Sequence, residues 1–390
     1  MKTLYLHVGT PKTATTSIQS FLNKNKAVLE KYGYCYPASL HRYPDVNPIR
    51  NGHFLVGNVI KEDGTRNTDQ EKIYLEEGLK QVEDYFKKVD NVILSDESIW
   101  RALSYTRKTL LLDLRSIGEK NGFQIKVIVY LRRQDKFLLS RWNQSIKQNF
   151  AYSATYTCDE FFKSEKKKKN KIFNYGTKLD EISRDIGKEN LIVRRFDKSK
   201  WKDASIIRDF MNEIGLEPTE EFQELEINEN LKLGKNATEI KRIINKNNNL
   251  DKKEIAYLGN SLRKISAMDT NKKSSAMLTV EETRDFLSKY EKENERVAAE
   301  YCKDGEPLFS GEIKDLPKWS PKNDEMFEDM IHFFSTAVVQ LHRENMEQDE
   351  EIKRLKNKID RMDEESKTFQ NKVRHPFRTM WGRFIRLIKR

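Results

Sequence analysis

The first segment with chemically useful residues lies just after an apolar run at residues 4–8. The run leads into a turn with Gly9 and Pro11, and hydroxyl residues then precede an amphipathic stretch that begins at Ile18. The first N–H groups of a helix lack intrahelical partners, so a turn of this kind can hold an anion. We predict that it binds a phosphorylated cofactor, and a capped strand-to-helix turn with incidental Lys and Thr is the alternative. The candidate cofactor-binding residues are Pro11, Lys12, Thr13, Ala14, Thr15, Thr16 and Ser17.

A second segment suits the capture of another phosphate. Residues 125–131 form a β-rich apolar run, Arg132 follows it directly, and Ser140 comes eight residues later in a helical pattern. An arginine at a strand end binds phosphate in a bidentate manner, and a serine hydroxyl two helical turns on adds a further donor. Arg132 and Ser140 are therefore the candidates for a second phosphate site.

The two segments together resemble the sulfotransferases that use 3′-phosphoadenosine-5′-phosphosulfate (PAPS). The run from Pro11 to Ser17 looks like the family's 5′-phosphosulfate loop, and Arg132 with Ser140 matches its 3′-phosphate pair at the family spacing. The resemblance covers residues 1–230 and implies an α/β fold, a P-loop-like parallel sheet flanked by helices. Ala14 departs from the family pattern, which usually has glycine there, and a positive φ at this position would strain the loop.

The family resemblance also implies a base that removes the proton of the acceptor hydroxyl. Glu97 follows the apolar strand pattern at residues 92–95 and resembles the Ser-x-Glu segment of bacterial and glycan-modifying members, so it is the predicted base. Asp96 is the runner-up, because an error of one residue at a strand end exchanges the directions of the two side chains. Both could instead cap the helix that follows. His53 is a further candidate for acceptor binding, although a lone loop histidine is more often structural.

The mechanism that the resemblance implies is an in-line transfer of a sulfuryl group. Glu97 takes the acceptor proton, while Lys12 neutralises charge on the bridging oxygen and the loop amides hold the 5′-phosphate. We expect no metal, since the sequence has no H-E-x-x-H or paired C-x-x-C motif. A P-loop kinase is an alternative function, but it should place its lysine directly before a Ser or Thr, where this chain has Thr15. A non-catalytic membrane-associated scaffold is the other alternative.

Composition limits the class of protein. The 390 residues carry a formal net charge of +11, and 37% are hydrophobic while 34% are charged, which is too polar for one compact globule. The charge suits an anionic cofactor, an acidic glycan or a membrane, and no nucleic-acid-binding motif accompanies it, so no nucleic acid partner is expected. The three cysteines are few and widely spaced, which indicates reduced thiols and a cytoplasmic protein. We identify neither a signal peptide nor a transmembrane segment.

The pattern of elements predicts an α/β domain followed by helices. Apolar strands at 3–8, 92–95, 125–131 and 191–196 alternate with helical stretches, which predicts a parallel sheet with the site at the carboxyl ends of the strands. We predict a PAPS-binding core at 1–230 and a charged helical cap at 231–320 that completes the catalytic domain. The predicted helices of the core are 15–31, 70–88, 105–121, 136–149 and 203–214.

The chain changes character after a Gly- and Pro-containing segment at 303–322. A heptad pattern over 324–370 predicts a coiled coil, and a parallel homodimer is the simplest form, with Asn345 at a core position that favours two strands. A single helix folded back on the domain is the alternative. One core site of the repeat contains Ile331, Val338, Asn345, Ile352 and Ile359, and the other contains Phe334, Leu341, Gln348, Leu355, Met362 and Phe369.

The last segment, 372–390, is basic and amphipathic. It contains seven Lys or Arg residues and no acid, and its apolar residues fall on one helical face. This pattern is typical of a helix in an anionic membrane interface, and it resembles the basic tails of bacterial glycosyltransferases that act on surface polysaccharides. We therefore expect a peripheral protein of the cytoplasmic face of the inner membrane, with a glycan acceptor such as a surface polysaccharide or its lipid-linked precursor. A helix docked on its own protein is the alternative.

Overall fold

The structure, a computed structural model, describes residues 1–149, 152–167, 171–225, 233–268, 274–374 and 376–388. Within these residues, five parallel strands form one sheet in the order β2-β3-β1-β4-β5. The predicted parallel sheet flanked by helices is thus confirmed. The boundary predicted at 230 and 231 lies outside the described residues. The strands are β1 (Lys2–Gly9), β2 (Tyr34–Cys35), β3 (Asn91–Ser95), β4 (Phe123–Leu131) and β5 (Leu191–Arg195).

Alternate residues of the central strands face two different hydrophobic layers. Leu4 and Leu6 of β1 pack into one layer, whereas Tyr5 between them packs into the other. Since side chains of a strand alternate in direction, a strand that is apolar at nearly every position must be covered on both faces. Helices α3, α4, α5 and α8 cover one face, and α1, α2 and α9 cover the other. The helices of this part are α1 (Thr15–Lys24), α2 (Lys26–Lys31), α3 (Thr68–Tyr85), α4 (Ile99–Tyr105), α5 (Leu110–Asn121), α6 (Gln134–Gln148), α7 (Cys158–Lys167), α8 (Tyr175–Ile186) and α9 (Ile206–Glu213).

Two of the predicted helices are wrong in their limits. The helix predicted at 15–31 is divided at Asn25 into α1 and α2, and the helix predicted at 105–121 begins only at Leu110. Asn25 hydrogen-bonds through its side-chain amide to the carbonyls of Phe21 and Gln223, both at 3.0 Å. At this break, the side chain of Asn25 therefore connects the end of α1 to a segment about two hundred residues away in sequence. The prediction also lacked β2, α4, α7 and α8.

Further helices pack beside the sheet domain. A third apolar cluster joins α6 and α7 to α12, and a fourth joins α10 and α11 to the start of a long C-terminal helix. A basic helix ends the described chain. These elements are α10 (Lys235–Asn245), α11 (Lys252–Met268), α12 (Val280–Leu287), α13 (Glu291–Val297), α14 (Glu325–Arg374) and α15 (Pro376–Ile388).

The segment between α13 and α14 crosses the carboxyl edge of the sheet. Arg195, at the end of β5, pairs with Asp304 and donates to the carbonyl of Pro307 at 3.2 Å. Arg133 donates to the carbonyl of Gly311 at 2.6 Å. The segment predicted as a boundary loop is therefore fastened to the ends of β4 and β5.

The described part of the chain contains no helix that is long and apolar enough to cross a membrane. His375, Lys389 and Arg390 of the predicted basic tail lie outside the described residues. Cys35, Cys158 and Cys302 are all unpaired, and the first two are buried.

Candidate active site

The turn after β1 lies very close to the residue that follows β3. The pairing of β1 with β4 shifts register between His7 and Gly9, which marks a bulge at the end of β1. Gly9 has a φ of +81°, and a Cβ on it would lie 3.0 Å from the Cβ of Glu97. Only glycine fits here, and the contact places the turn directly against the residue after β3.

Short hydrogen bonds fix the turn on the sheet. Thr10 donates to the carbonyl of Tyr130 through both its amide and its hydroxyl, each at 3.0 Å. The hydroxyl of Thr13 donates back to the carbonyl of Thr10 at 2.5 Å. Lys12 and Ala14 have φ values of 71° and 56°, so both adopt the left-handed conformation. Ala14 is thus the strained position anticipated from the sequence.

Helix α1 starts with donors directed at the same turn. The N-cap is Ala14, which supplies no side-chain cap, and the amides of Ser17 and Ile18 bond to its carbonyl. The amides before them are those that a helix leaves without intrahelical partners, and the first turn contains no acidic residue. The hydroxyl of Thr15 is buried and has no hydrogen-bond partner. An unpartnered buried hydroxyl is unusual in a folded protein, and this one lies at the start of a helix. Thr16 is exposed, and Pro11 and Ser17 are half-buried.

Arg132 reaches from the end of β4 to the turn. Its guanidinium donates to the carbonyl of Lys12 at 2.8 Å and lies over the ring of Phe196 at 5.4 Å. The hydroxyl of Tyr175 donates to the carbonyl of Arg132 at 2.6 Å and so fixes its backbone. Burial lowers the pKa of the Arg132 guanidinium from its usual value. Ser140 is half-buried on α6, two helical turns along.

Asp96 and Glu97 face different surroundings after β3. Asp96 is fully buried, whereas the side chain of Glu97 is 25% exposed. The amide of Gln19 donates to Glu97 at 3.4 Å, and Arg50 lies 3.4 Å from it. Glu97 is therefore the carboxylate of the pair that a ligand at the turn can reach.

Asp96 is held by a buried network. Arg50 donates to both of its oxygens, at 3.0 and 2.6 Å, and Nδ1 of His53 lies 2.8 Å from Oδ2. The amide of Ser98 donates to it as well, at 2.7 Å, but Ser98 is the N-cap of α4 and no side chain caps this helix. Burial opposes ionisation of Asp96, but the hydrogen bonds and charges of His53 and Arg50 prevail and keep its pKa below the usual value. Asp96 and His53 thus bind each other.

A cavity of about 270 Å³ opens beside this network. Arg50 belongs to its wall and also contacts Glu97, so it joins the cavity to the turn. The ring of Tyr43 packs edge-on against His53, with centroids 4.6 Å apart. The residues that line the cavity are Ser39, His41, Arg42, Tyr43, Val46, Asn47, Pro48 and Arg50.

The structure brings the turn, Glu97 and Arg132 to one edge of the sheet. Thr13 and Asp96 instead have inward-facing side chains. Sequence reasoning missed Arg50 and Gln19, which contact the predicted base. The only signal for Arg50 was its place three residues before His53. In the described part of the chain, no three His, Cys, Asp or Glu side chains are grouped so as to hold a metal ion.

Comparison with known proteins gives one distant relative. No protein-family model matches the chain. An uncharacterized protein of Archaeoglobus fulgidus is 28% identical over 176 residues, a match that covers 45% of this chain and 45% of the relative. The chain is therefore similar to less than half of that protein.

Proposed function

We propose that the protein is a sulfotransferase that moves a sulfuryl group from PAPS to a hydroxyl of a glycan. The observation that carries the proposal is the meeting of three strand ends. The turn after β1, Glu97 after β3 and Arg132 after β4 lie together although about 35 to 120 residues separate them along the chain. Independent motifs of incidental origin would have no reason to share one site.

The strand order supports a ligand at this place. After β1 the chain forms β2 and β3, which lie on one side of β1 in the sheet. It then forms β4 and β5, which lie on the other side, so the direction changes between β1 and β4. Ligands of open α/β sheets bind in the crevice at such a switch point, outside the carboxyl ends of the strands. Arg132 and the turn meet across the gap between β1 and β4. This arrangement favours the P-loop-like sulfotransferase fold that the sequence resembles.

The residues at the turn fit the proposed cofactor. The unpartnered hydroxyl of Thr15 and the first amides of α1 would hold the 5′-phosphosulfate, with Lys12 and Thr16 beside them. Arg132 and Ser140 would hold the 3′-phosphate. When bound there, PAPS supplies an activated sulfuryl group.

The side chains of the protein then have separate roles. Glu97 accepts the proton of the acceptor hydroxyl, a contribution that is typically ~10²–10⁴-fold in rate. Lys12 and the positive end of α1 face the negative charge that collects on phosphate oxygens. Arg50, 3.4 Å from Glu97, orients the carboxylate.

The cavity lined by Arg50, which also contacts Glu97, supports a glycan as the acceptor. Its wall combines an aromatic ring with amide, hydroxyl and cationic groups, which suit the flat faces and hydroxyls of sugars. The exposed cation Arg42 favours a sugar that carries an acid group. We further propose that α15 holds the enzyme at the cytoplasmic face of a membrane and that α14 forms one strand of a coiled coil, which would bring the site near lipid-linked glycans.

Ligand-dependent stabilisation of the purified protein tests the cofactor assignment. Adenosine 3′,5′-bisphosphate at 100 times its dissociation constant should stabilise the wild type by ~2.7 kcal/mol, measured as a thermal shift. Adenosine 5′-monophosphate should bind more weakly because it lacks the 3′-phosphate. Arg132→Ala and Ser140→Ala should remove this preference, whereas Lys12→Ala should weaken binding of both nucleotides.

Lys120→Ala is the matched control, since this exposed lysine lies on α5, away from the strand ends that carry the site. It should bind both nucleotides as the wild type does. A response to ATP with Mg²⁺ but not to the bisphosphate would replace the proposal with a kinase. No response to either nucleotide would favour a scaffold.

A further inference from the structure

Helix α14 carries two apolar stripes, and the domain covers only one of them. Phe333 and Ala337 are buried against Ile240 and Leu262, which belong to α10 and α11. The hydroxyl of Tyr257 donates to Glu344 at 3.2 Å, which is the last of these contacts along the helix. From 345 to 370 every residue is exposed.

The second stripe is the heptad seam. Its apolar members are between 48% and 68% exposed, although they repeat at the spacing of a buried seam. The folded-back helix considered from the sequence would have buried this face, but the domain packs on a different one. The exposed members are Ile331, Phe334, Val338, Leu341, Ile352, Leu355, Ile359, Met362 and Phe369.

We propose that a second copy of this chain covers the seam as a parallel, two-stranded coiled coil in register. The residue types at the two core sites support two strands, because the first has β-branched Ile and Val, and the second has Leu at two of its positions. Asn345 would meet its own counterpart, a pairing that favours a parallel dimer in one register. The pairing does not depend on the chemistry at the strand ends.

Charges beside the seam match in this register. Glu351 would face Lys356 of the other copy, and Lys358 would face Asp363, so that two-fold symmetry gives four attractive pairs. Glu351 and Asp363 already make exposed contacts within the helix, at 3.6 and 3.4 Å, and a carboxylate accepts from more than one donor.

Two features oppose the pairing: Gln348 is polar at a core site beside Asn345, and one pair of facing side chains repels. Glu344 and Asp349 carry like charge at facing sites. The hydrogen bond from Tyr257 holds Glu344 on the side of the helix that faces the domain. The repulsion therefore involves Glu344, whose side chain is held away from the partner helix.

Molar mass in solution tests the proposal on the full chain. We expect twice the chain mass of 46.1 kDa by light scattering. Leu355→Lys should give the monomer, because it places two like charges in the seam. Asn357→Lys adds the same charge on the outer face of the same helix and should remain dimeric.

Cysteine substitutions test the orientation. Ile352→Cys and Met362→Cys, made separately, should each form a disulfide-linked dimer under mild oxidation. Only parallel helices in register place each of these two positions next to the same position of the other copy. Glu364→Cys, on the outer face, and the wild type are the controls and should stay unlinked. A monomeric wild type, a trimer, a dimer that survives Leu355→Lys, or a dimer that cross-links at one site alone would overturn the proposal.

Discussion

At the scale of single residues, the site depends on which of two adjacent carboxylates is reachable. Glu97 touches the turn at Gly9 and is partly exposed, whereas Asp96 is buried between Arg50 and His53. The two residues therefore have different roles. Glu97 is the proposed base, and Asp96 is a positioning residue that holds Arg50 beside it.

Neutral substitutions at the two positions should separate these roles. Glu97→Gln should lower the rate of sulfuryl transfer by ~10²–10⁴-fold and leave bisphosphate binding and stability unchanged. Asp96→Asn should reduce the free energy of unfolding by ~3–5 kcal/mol, because it removes the buried carboxylate that accepts two hydrogen bonds from Arg50. Transfer assays and urea denaturation measure the two effects. Full activity in Glu97→Gln would remove it as the base.

The stability deficit of Asp96→Asn should also depend on pH. The pKa of Asp96 is lowered in the fold, so its stabilisation is complete above its unfolded pKa of about 3.9 and is lost as pH falls through the folded value. The difference in free energy of unfolding between the wild type and Asp96→Asn should therefore be constant between about pH 8 and 5. It should decrease only below about pH 4. A deficit that disappears near neutral pH would contradict this account.

At the scale of elements, the start of α1 combines a strained turn with an open helix end. Ala14 adopts a left-handed conformation that costs a non-glycine residue ~1–2 kcal/mol. Strain of this kind lowers the stability of the fold. We expect the turn to keep this conformation with and without a ligand, so that the strain does not oppose binding.

Replacement of Ala14 with glycine should test this distinction. Ala14→Gly should raise the free energy of unfolding by ~0.5 kcal/mol, since relief of the strain exceeds the ~0.4–1 kcal/mol that glycine adds to unfolded-state entropy. Bisphosphate affinity should stay within about twofold. Gly122→Ala is the matched reverse change at the end of α5, where φ is +74° and a Cβ meets no atom within 4 Å. It should cost about 1 kcal/mol, and a stabilised Gly122→Ala would refute the backbone argument.

At the scale of the whole molecule, a parallel pair of α14 helices would bring two α15 helices to one end. The 30 residues from Asn345 to Arg374 span ~45 Å of helix, so both tails would stand away from the sheet domains on the same side. Met380, Trp381 and Phe384 are exposed on α15 and fit the interface of a membrane. Two weak anchors at one end bind a surface far more tightly than one.

Sedimentation with lipid vesicles should show this avidity. The wild type should bind vesicles that contain phosphatidylserine, more weakly as salt rises, and Trp381→Ser should reduce binding. Leu355→Lys should weaken it by ~10-fold or more, because each monomer has one tail. Leu112→Ser, at an exposed apolar residue of α5, and Asn357→Lys are the controls. Equal binding by monomer and dimer would contradict the avidity argument.

The sequence by itself determined the local features. Residues that are neighbours in sequence determine each of these features. They are the apolar runs of β1 and β4, the hydroxyl-rich turn, the position of Arg132 and the heptad period of α14. They depend on alternation, helical period and backbone propensity, which act over a few positions. For this reason the parallel sheet was predictable, together with the edge at which these residues meet.

Only the tertiary structure decided how distant residues complete these features. The break at Asn25 exists because a segment near Gln223 bonds to it, and Asp96 faces inward because Arg50 arrives from another part of the chain. Gln19 and Arg50 contact Glu97 for the same reason. Hydrogen bonds and ion pairs between residues dozens to hundreds of positions apart leave no local pattern, so the direction of each carboxylate was settled by packing.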